Sequence, residues 1–192
     1  MNEIISNESF YYKEVDKTEV EKLLAGAYSK KFGDYYSLLL LIASTGISLP
    51  EALELKWEDV DLENKVIEIR SFAGRKIKIC QSVVAELKGM LTGEWVCELL
   101  FHEPDGSRLN PVRFAKDLRE IRELAGVSDS IGINTLRFLH GLRLLDLNVH
   151  PNVICRRLGQ ETGKYVIDNY YRIKDQGTAV EVMEEAGGYL VS

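Results

Sequence analysis

The segment YYSLLLLIAS, residues 35–44, limits the possible folds of this chain more than any other stretch. Wound as a helix, it is apolar on nearly every side, so it needs apolar neighbours all round and is expected at the centre of a helical core. Asp34 lies near the start of this predicted helix, and Thr45-Gly46 ends it.

Amphipathic helices are predicted on both sides of this central one. Asp16 with Glu19 forms a capping box that opens a helix to about Lys30. Its apolar stripe consists of Val20, Leu23, Leu24 and Tyr28. Further helices are predicted from Pro50 over PEALEL, at residues 83–91, from Asn110-Pro111 to Ala125 before Gly126, from Asn134 or Thr135 to about Leu147 before a left-handed Asn148, and from Pro151 onward.

Two short segments, KVIEIR and KIKIC, alternate apolar and polar residues with period two. SFAG separates them, so they predict an antiparallel hairpin, while EDVDLENK before them is expected to be a polar turn. The chain shows no internal repeat and no clear linker. The expected fold is therefore one mainly α domain with a small antiparallel β-sheet, an α+β fold.

Composition excludes several classes of protein. A net charge of −6 and a pI near 5.2 argue against a nonspecific DNA coat. The longest apolar run, residues 38–43, is far short of the roughly 20 residues of a membrane span. No membrane span is therefore expected. Neither the three cysteines nor the three histidines have metal-ligand spacing, so no metal and no cofactor are expected; these residues are Cys80, Cys97, Cys155, His102, His140 and His150. The cysteines also form no paired pattern, so a reducing cytoplasm is the expected location.

The C-terminal part has a distinctive order of residues. Residues 134–157 read NTLRFLHGLRLLDLNVHPNVICRR, and Leu158-Gly159-Gln160 follows, with Tyr170-Tyr171 ten residues later. Residues 151–175 carry five basic and three acidic side chains, so this is the locally basic stretch of an acidic chain.

This order resembles the C-terminal signature of the tyrosine recombinase, or phage integrase, family. The stretch LLLLIASTGISLPEALELKWEDVDLENKVIEI resembles the first conserved block of that family. The resemblance implies a tyrosine-recombinase catalytic-domain-like fold over residues 13–175. Residues 1–12 are then an N-terminal tail, and residues 176–192 a C-terminal segment suited to exchange with a partner.

The resemblance also implies a chemistry. In this family a tyrosine attacks a DNA phosphodiester, two arginines clamp the phosphate oxygens, a lysine acts as general acid and two histidines assist. The second arginine matches Arg137, and the nucleophile matches Tyr170, with Tyr171 as the alternate. The acidic residue that follows the first arginine is kept as Glu51.

Four positions depart from the pattern. Ser48 stands at the first arginine, Phe72 at the lysine, Asn134 at the first histidine and Gln160 at the second. None of the four carries a positive charge, so efficient strand cleavage is not expected. His140-Gly141-Leu142-Arg143 has the family's His-x-x-Arg form, but that register breaks the spacing to Leu158-Gly159.

The resemblance therefore implies an integrase-like domain that binds double-stranded DNA weakly on its own and acts in or regulates recombination. Its expected DNA contacts are Arg75, Lys76, Arg137, Arg156 and Arg157. A homo-oligomer or an active recombinase is the expected protein partner. Two alternatives stay open: a divergent active recombinase that recruits Arg75, Lys76 or a partner's residues, and a protein-interaction module that does not bind DNA. For the single residues, the alternatives are that Arg137 is an ordinary helix arginine paired with an acidic residue and that the two tyrosines pack on the core.

Overall fold

The computed structural model describes residues 17–28, 34–71, 74–91 and 97–160. Four of the predictions lie outside these residues: the cap at Asp16, Phe72, the tyrosines Tyr170 and Tyr171, and both terminal segments. Within the described residues the helices are α1 (Lys17–Ala27), α2 (Tyr35–Thr45), α3 (Leu49–Glu54), α4 (Gln81–Met90), α5 (Pro111–Ala125), α6 (Ile133–Asp146) and α7 (Pro151–Leu158). The strands are β1 (Val60–Asp61), β2 (Val66–Ile69) and β3 (Arg75–Lys78).

Helix α2 lies at the centre of the core, as its apolar circumference predicts. Leu38, Leu39, Leu41 and Ile42 are fully buried. Helices α1, α4 and α6 all pack against it. The α-helical part of the fold is therefore organised around one largely buried apolar helix, whose partly exposed side consists of Tyr36, Leu40, Ala43 and Ser44.

Gly46 ends α2 in the left-handed conformation, with φ +73°. A side chain at this position would collide with the side chains of Leu158 and His140. The glycine is thus needed twice, for its backbone angle and for the close approach of α6 and α7.

The predicted hairpin is confirmed and carries an additional strand. Strands β2 and β3 are antiparallel, with Ile67 opposite Ile77. The polar segment expected to be only a turn contains Val60 and Asp61, which pair with β2 and form the edge of a three-stranded sheet. That expectation was wrong because the two paired residues are too few to show an alternation in the sequence.

Several helix ends follow the sequence closely. Asn110 caps α5, Gly126 closes it with φ +63°, and Asn148 has φ +57° after α6. Helix α6, however, begins at Ile133, one residue before the earlier of the two predicted starts, because Thr135 accepts a hydrogen bond from the amide of Gly132 inside the first turn.

The first helix is also shorter than predicted. It ends at Ala27 rather than near Lys30, although residues 29–33 lie outside the described part. Tyr28 is 75% exposed and makes a T-shaped contact with the ring of Tyr36, so it is not part of the buried stripe. Among the described residues, no helix is long and apolar enough to cross a membrane.

Candidate functional site

Glu51 lies at the centre of a buried cluster where α3, β3, α6 and α7 meet. Its side chain is only 4% exposed. Ser48 caps α3, and both its amide and its hydroxyl donate to Glu51 Oε2, at 2.8 and 2.9 Å. The hydroxyl of Ser48 also accepts from the amide of Glu51, so a reciprocal capping box holds this carboxylate in place.

Arg75 reaches inward from the first residue of β3 to this carboxylate. Its Nη1 and Nη2 donate to Oε1 and Oε2 of Glu51, at 2.6 and 3.0 Å. Its Nε donates to the carbonyl of Arg157 at 3.0 Å, which fixes the plane of the guanidinium. Lys76, the next residue, is 71% exposed and lies 3.9 Å from Glu68. Neighbouring basic residues of one strand therefore have opposite environments.

Arg137 approaches the same carboxylate from α6. Its Nη2 donates to the carbonyl of Leu158 at 3.2 Å, while its Nη1 lies 3.8 Å from Glu51 Oε2. Oε2 already accepts from Ser48 and Arg75, and Arg137 Nη1 is buried with no hydrogen-bond partner among the described residues. The expected alternative, an arginine paired with an acidic residue, is thus present only as a long ion pair.

The C-terminus of α7 positions both guanidinium groups. Arg75 and Arg137 donate to the consecutive carbonyls of Arg157 and Leu158, where the partial negative charge of a helix end favours cations. Gly159 ends the helix with φ +67°, and a Cβ there would lie 2.7 Å from Nη1 of Arg75. The Leu-Gly pair of the sequence therefore leaves the room that Arg75 occupies.

The surroundings favour the charged form of Glu51 but disfavour that of Arg137. Burial raises the pKa of Glu51, but hydrogen bonds from Arg75 and Ser48 and the charge of Arg75 outweigh it, so the pKa is lowered. Burial lowers the pKa of Arg137, Glu51 opposes this, and Arg75 adds to it. Two guanidinium groups thus share one carboxylate, and the cluster has an excess of one positive charge.

Arg157 is occupied by internal acceptors. Its Nε donates to Nε2 of His140 at 2.9 Å, and its Nη2 donates to the carbonyls of Ser44 and Lys78. Burial, followed by the charge of Arg157, lowers the pKa of His140 to about 4, so this histidine is neutral and accepts the hydrogen bond. Arg156 is exposed at the end of α7, and Arg143 is exposed on α6.

The remaining substituted positions add no charge to the cluster or lie outside the described residues. Asn134 is exposed in the first turn of α6. Gln160 follows Gly159, and its buried Oε1 has no hydrogen-bond partner among the described residues. Phe72 and Tyr170 are not described. No group of three or more potential metal ligands exists in the described ranges.

Sequence reasoning left open which of Arg75 and Lys76 faces the site, although the alternation of β3 contains the answer. Arg75, Ile77 and Ile79 share one side of the strand, and the two isoleucines are buried. Lys76 and Lys78 share the exposed side. An arginine in register with a buried strand face needs a buried partner, and Glu51 is that partner.

These features define an integrase-type catalytic domain: a helical core, a small antiparallel sheet, and an arginine beside a Leu-Gly helix end. Residues 13–177 match the sequence model of the phage integrase family, and the chain belongs to that family. No curated protein sequence matches the chain.

Solved structures share the fold. XerA recombinase is 21% identical with a TM-score of 0.73, covering 81% of this chain and 59% of its own. The Tn1549 transposon integrase in complex with circular intermediate DNA is 16% identical with a TM-score of 0.70, covering 81% and 60%. XerH recombinase in a post-cleavage complex with palindromic difH is 23% identical with a TM-score of 0.70, covering 93% and 53%. The chain thus spans less than two thirds of each of these relatives.

Proposed function

We propose that this chain is an integrase-type DNA-binding domain with impaired strand cleavage, acting in or regulating DNA recombination. Membership of the phage integrase family supports a role in recombination. The Tn1549 integrase and XerH structures contain DNA, which supports double-stranded DNA as the ligand of this domain. A second copy of this chain or an active recombinase is proposed as its protein partner.

The state of Ser48 carries the proposal of impaired cleavage. Both its amide and its hydroxyl are committed to Glu51 in the capping box. Serine is neutral, so it supplies no positive charge where the family has its first arginine, and its donors are not available to a phosphate. Removing one preorganised donor typically costs roughly 10²–10³ in rate. Asn134 and Gln160 are also neutral; Asn134 is exposed, and the buried Oε1 of Gln160 has no hydrogen-bond partner within the described residues.

A divergent active recombinase is the second candidate, and one observation favours it. Arg75 brings a guanidinium to the carboxylate beside Arg137, so two arginines lie near Leu158-Gly159 although position 48 is a serine. In this candidate the pair binds the scissile phosphate and Tyr170 attacks it.

Covalent trapping separates the two candidates. The protein is incubated with a pool of nicked random-sequence duplexes, and adducts are resolved under denaturing conditions. The proposal predicts salt-sensitive binding of the pool without a covalent adduct. An adduct that disappears in Tyr170→Phe and persists in Tyr171→Phe would establish the active enzyme. Absence of binding at low ionic strength would contradict the DNA-binding proposal and favour a protein-interaction module.

A further inference from the structure

We propose that Arg75 replaces the missing first arginine from a different element, and that Arg75 and Arg137 together bind one phosphodiester of the DNA backbone. This inference rests on the proposed DNA-binding function. It assigns the anion-binding role to a residue 27 positions away from the expected one, on β3 instead of at the start of α3.

The two positions meet at the same carboxylate. Ser48 contacts Glu51 through its amide and its hydroxyl, and Arg75 contacts it through two guanidinium nitrogens. Position 48 and the tip of Arg75 are therefore neighbours in space. The alternation of β3 turns Arg75 to this buried side, so its guanidinium compensates for a charge that the serine does not supply.

Both guanidinium groups are held in place before any ligand arrives. Arg75 donates to the carbonyl of Arg157, and Arg137 donates to the carbonyl of Leu158. The Arg75 side chain is 14% exposed and the Arg137 side chain 15% exposed, so little rotamer freedom remains to be lost on binding. Two fixed planar donors suit a bidentate oxyanion better than flexible lysines would.

Within the described residues, both arginines have N–H donors left over for a phosphate. A guanidinium has five N–H donors, of which Arg75 uses three and Arg137 only one within the described residues. Nη1 of Arg137 is buried without an acceptor, and the nearest carboxylate oxygen, Oε2 of Glu51, already accepts three hydrogen bonds. A further oxygen acceptor placed between the two arginines would satisfy it.

The charge of the site fits a phosphodiester. Two guanidinium groups and one carboxylate leave a single positive charge, and a phosphodiester carries a single negative charge. Glu51 stays as an internal acceptor that keeps the two arginines from repelling each other in the free protein. DNA brings this group in a repeating chain, so one clamp adds one phosphate contact to the interface.

The test is fluorescence anisotropy of a mixed-sequence duplex over a range of salt concentrations. Arg75→Gln is expected to weaken binding by roughly 10- to 100-fold and to reduce the salt slope by about 1, because one bidentate phosphate contact is lost. Arg119→Gln removes the same charge from the exposed face of α5 and is the matched control, which is expected to bind like the natural chain.

Two further variants guard against a folding defect. Arg75→Lys keeps a charge beside Glu51 but loses the bidentate geometry, and it is expected to bind roughly tenfold more weakly with a similar salt slope. Ser48→Arg combined with Arg75→Gln returns a guanidinium to Glu51 from α3 and is expected to recover most of the lost affinity.

The outcomes separate this inference from the proposed function. If the natural chain binds DNA and both Arg75 variants bind as tightly as Arg119→Gln, the Arg75 assignment is overturned while DNA binding stands. If the natural chain binds no duplex, both fall. Binding of inorganic phosphate alone, without any duplex binding, would overturn DNA as the source of the phosphate.

Discussion

Arg75 and Glu51 form a bidentate ion pair that joins strand β3 to helix α3, with N–O distances of 2.6 and 3.0 Å. The pair is almost out of contact with solvent, since the Arg75 side chain is 14% exposed and that of Glu51 4%. Breaking one member of such a pair leaves a buried charge without compensation, whereas removing both members costs much less.

The stability of the fold is therefore expected to depend on this pair. Arg75→Gln should lower the free energy of unfolding by about 3 kcal/mol, because Glu51 loses its main partner. The double variant Glu51→Gln with Arg75→Gln should recover more than half of that loss. Urea denaturation of the four members of the cycle measures the coupling, and equal losses in the single and double variants would contradict it.

Ser48 is expected to stabilise the fold through its cap. Ser48→Ala should cost about 1–2 kcal/mol, because α3 loses its N-cap and the buried Glu51 loses a hydrogen bond. Asn110→Ala, at the exposed cap of α5, is the comparison and should cost about 1 kcal/mol. Thermal and urea unfolding measure both, and a smaller effect at Ser48 than at Asn110 would show that the link to Glu51 adds nothing.

Gly159 offers a matched pair of variants with Gly126. Both have left-handed backbones, with φ +67° and +63°, but a Cβ at 159 would crowd Arg75 whereas one at 126 meets nothing within 4 Å. Gly126→Ala should therefore cost only the backbone term of about 1–2 kcal/mol. Gly159→Ala should cost more in urea unfolding and should also weaken DNA binding. Equal costs and unchanged binding would contradict the packing of Arg75 against this glycine.

His140 makes stability depend on pH. Its pKa falls from an ordinary 6.5 to about 4 in the folded chain, so the unfolded chain binds more protons between these values. The stabilisation that neutral His140 contributes is complete above about pH 6.5 and is lost as the pH falls toward 4. Between pH 7 and pH 5 this loss should amount to about 2 kcal/mol.

His140→Gln tests this dependence, because the amide oxygen still accepts from Arg157 but does not titrate. Urea unfolding at pH 7 and pH 5 should show a smaller fall in stability for this variant than for the natural chain. His150→Asn, at the exposed start of α7, keeps a capping side chain and should behave like the natural chain. A pH dependence unchanged by His140→Gln would contradict a buried neutral histidine.

Much of the fold can be predicted from the sequence, because the local helix and turn preferences agree with the packing of the core. The apolar circumference of α2, the Asn110-Pro111 start of α5 and the left-handed Asn148 each have one favourable solution. The start of α6 was missed because Thr135 lies inside the first turn, where its hydroxyl accepts a hydrogen bond from the amide of Gly132, and is not itself the N-cap. Strand β1 was missed because two residues carry too little pattern.

The site is less readable because its contacts are long-range. Motif spacing identifies position 48, Glu51 and Arg137 one at a time, but it cannot show that Arg75 meets Glu51 across 24 residues. Nor does it show that Arg157, within the locally basic stretch, donates its hydrogen bonds to His140 and two backbone carbonyls. Such pairings depend on how β3, α6 and α7 pack, and packing is decided by the whole core.

Restoring the four substituted positions gives the most direct test of the central claim, which is that this family member binds DNA without efficient cleavage. The restored chain carries Ser48→Arg, Phe72→Lys, Asn134→His and Gln160→His, and its yield of covalent adduct on nicked random-sequence duplexes is compared with that of the natural chain. We expect no adduct from the natural chain and a Tyr170-dependent adduct from the restored one. An equal, Tyr170-dependent adduct from the natural chain would contradict it.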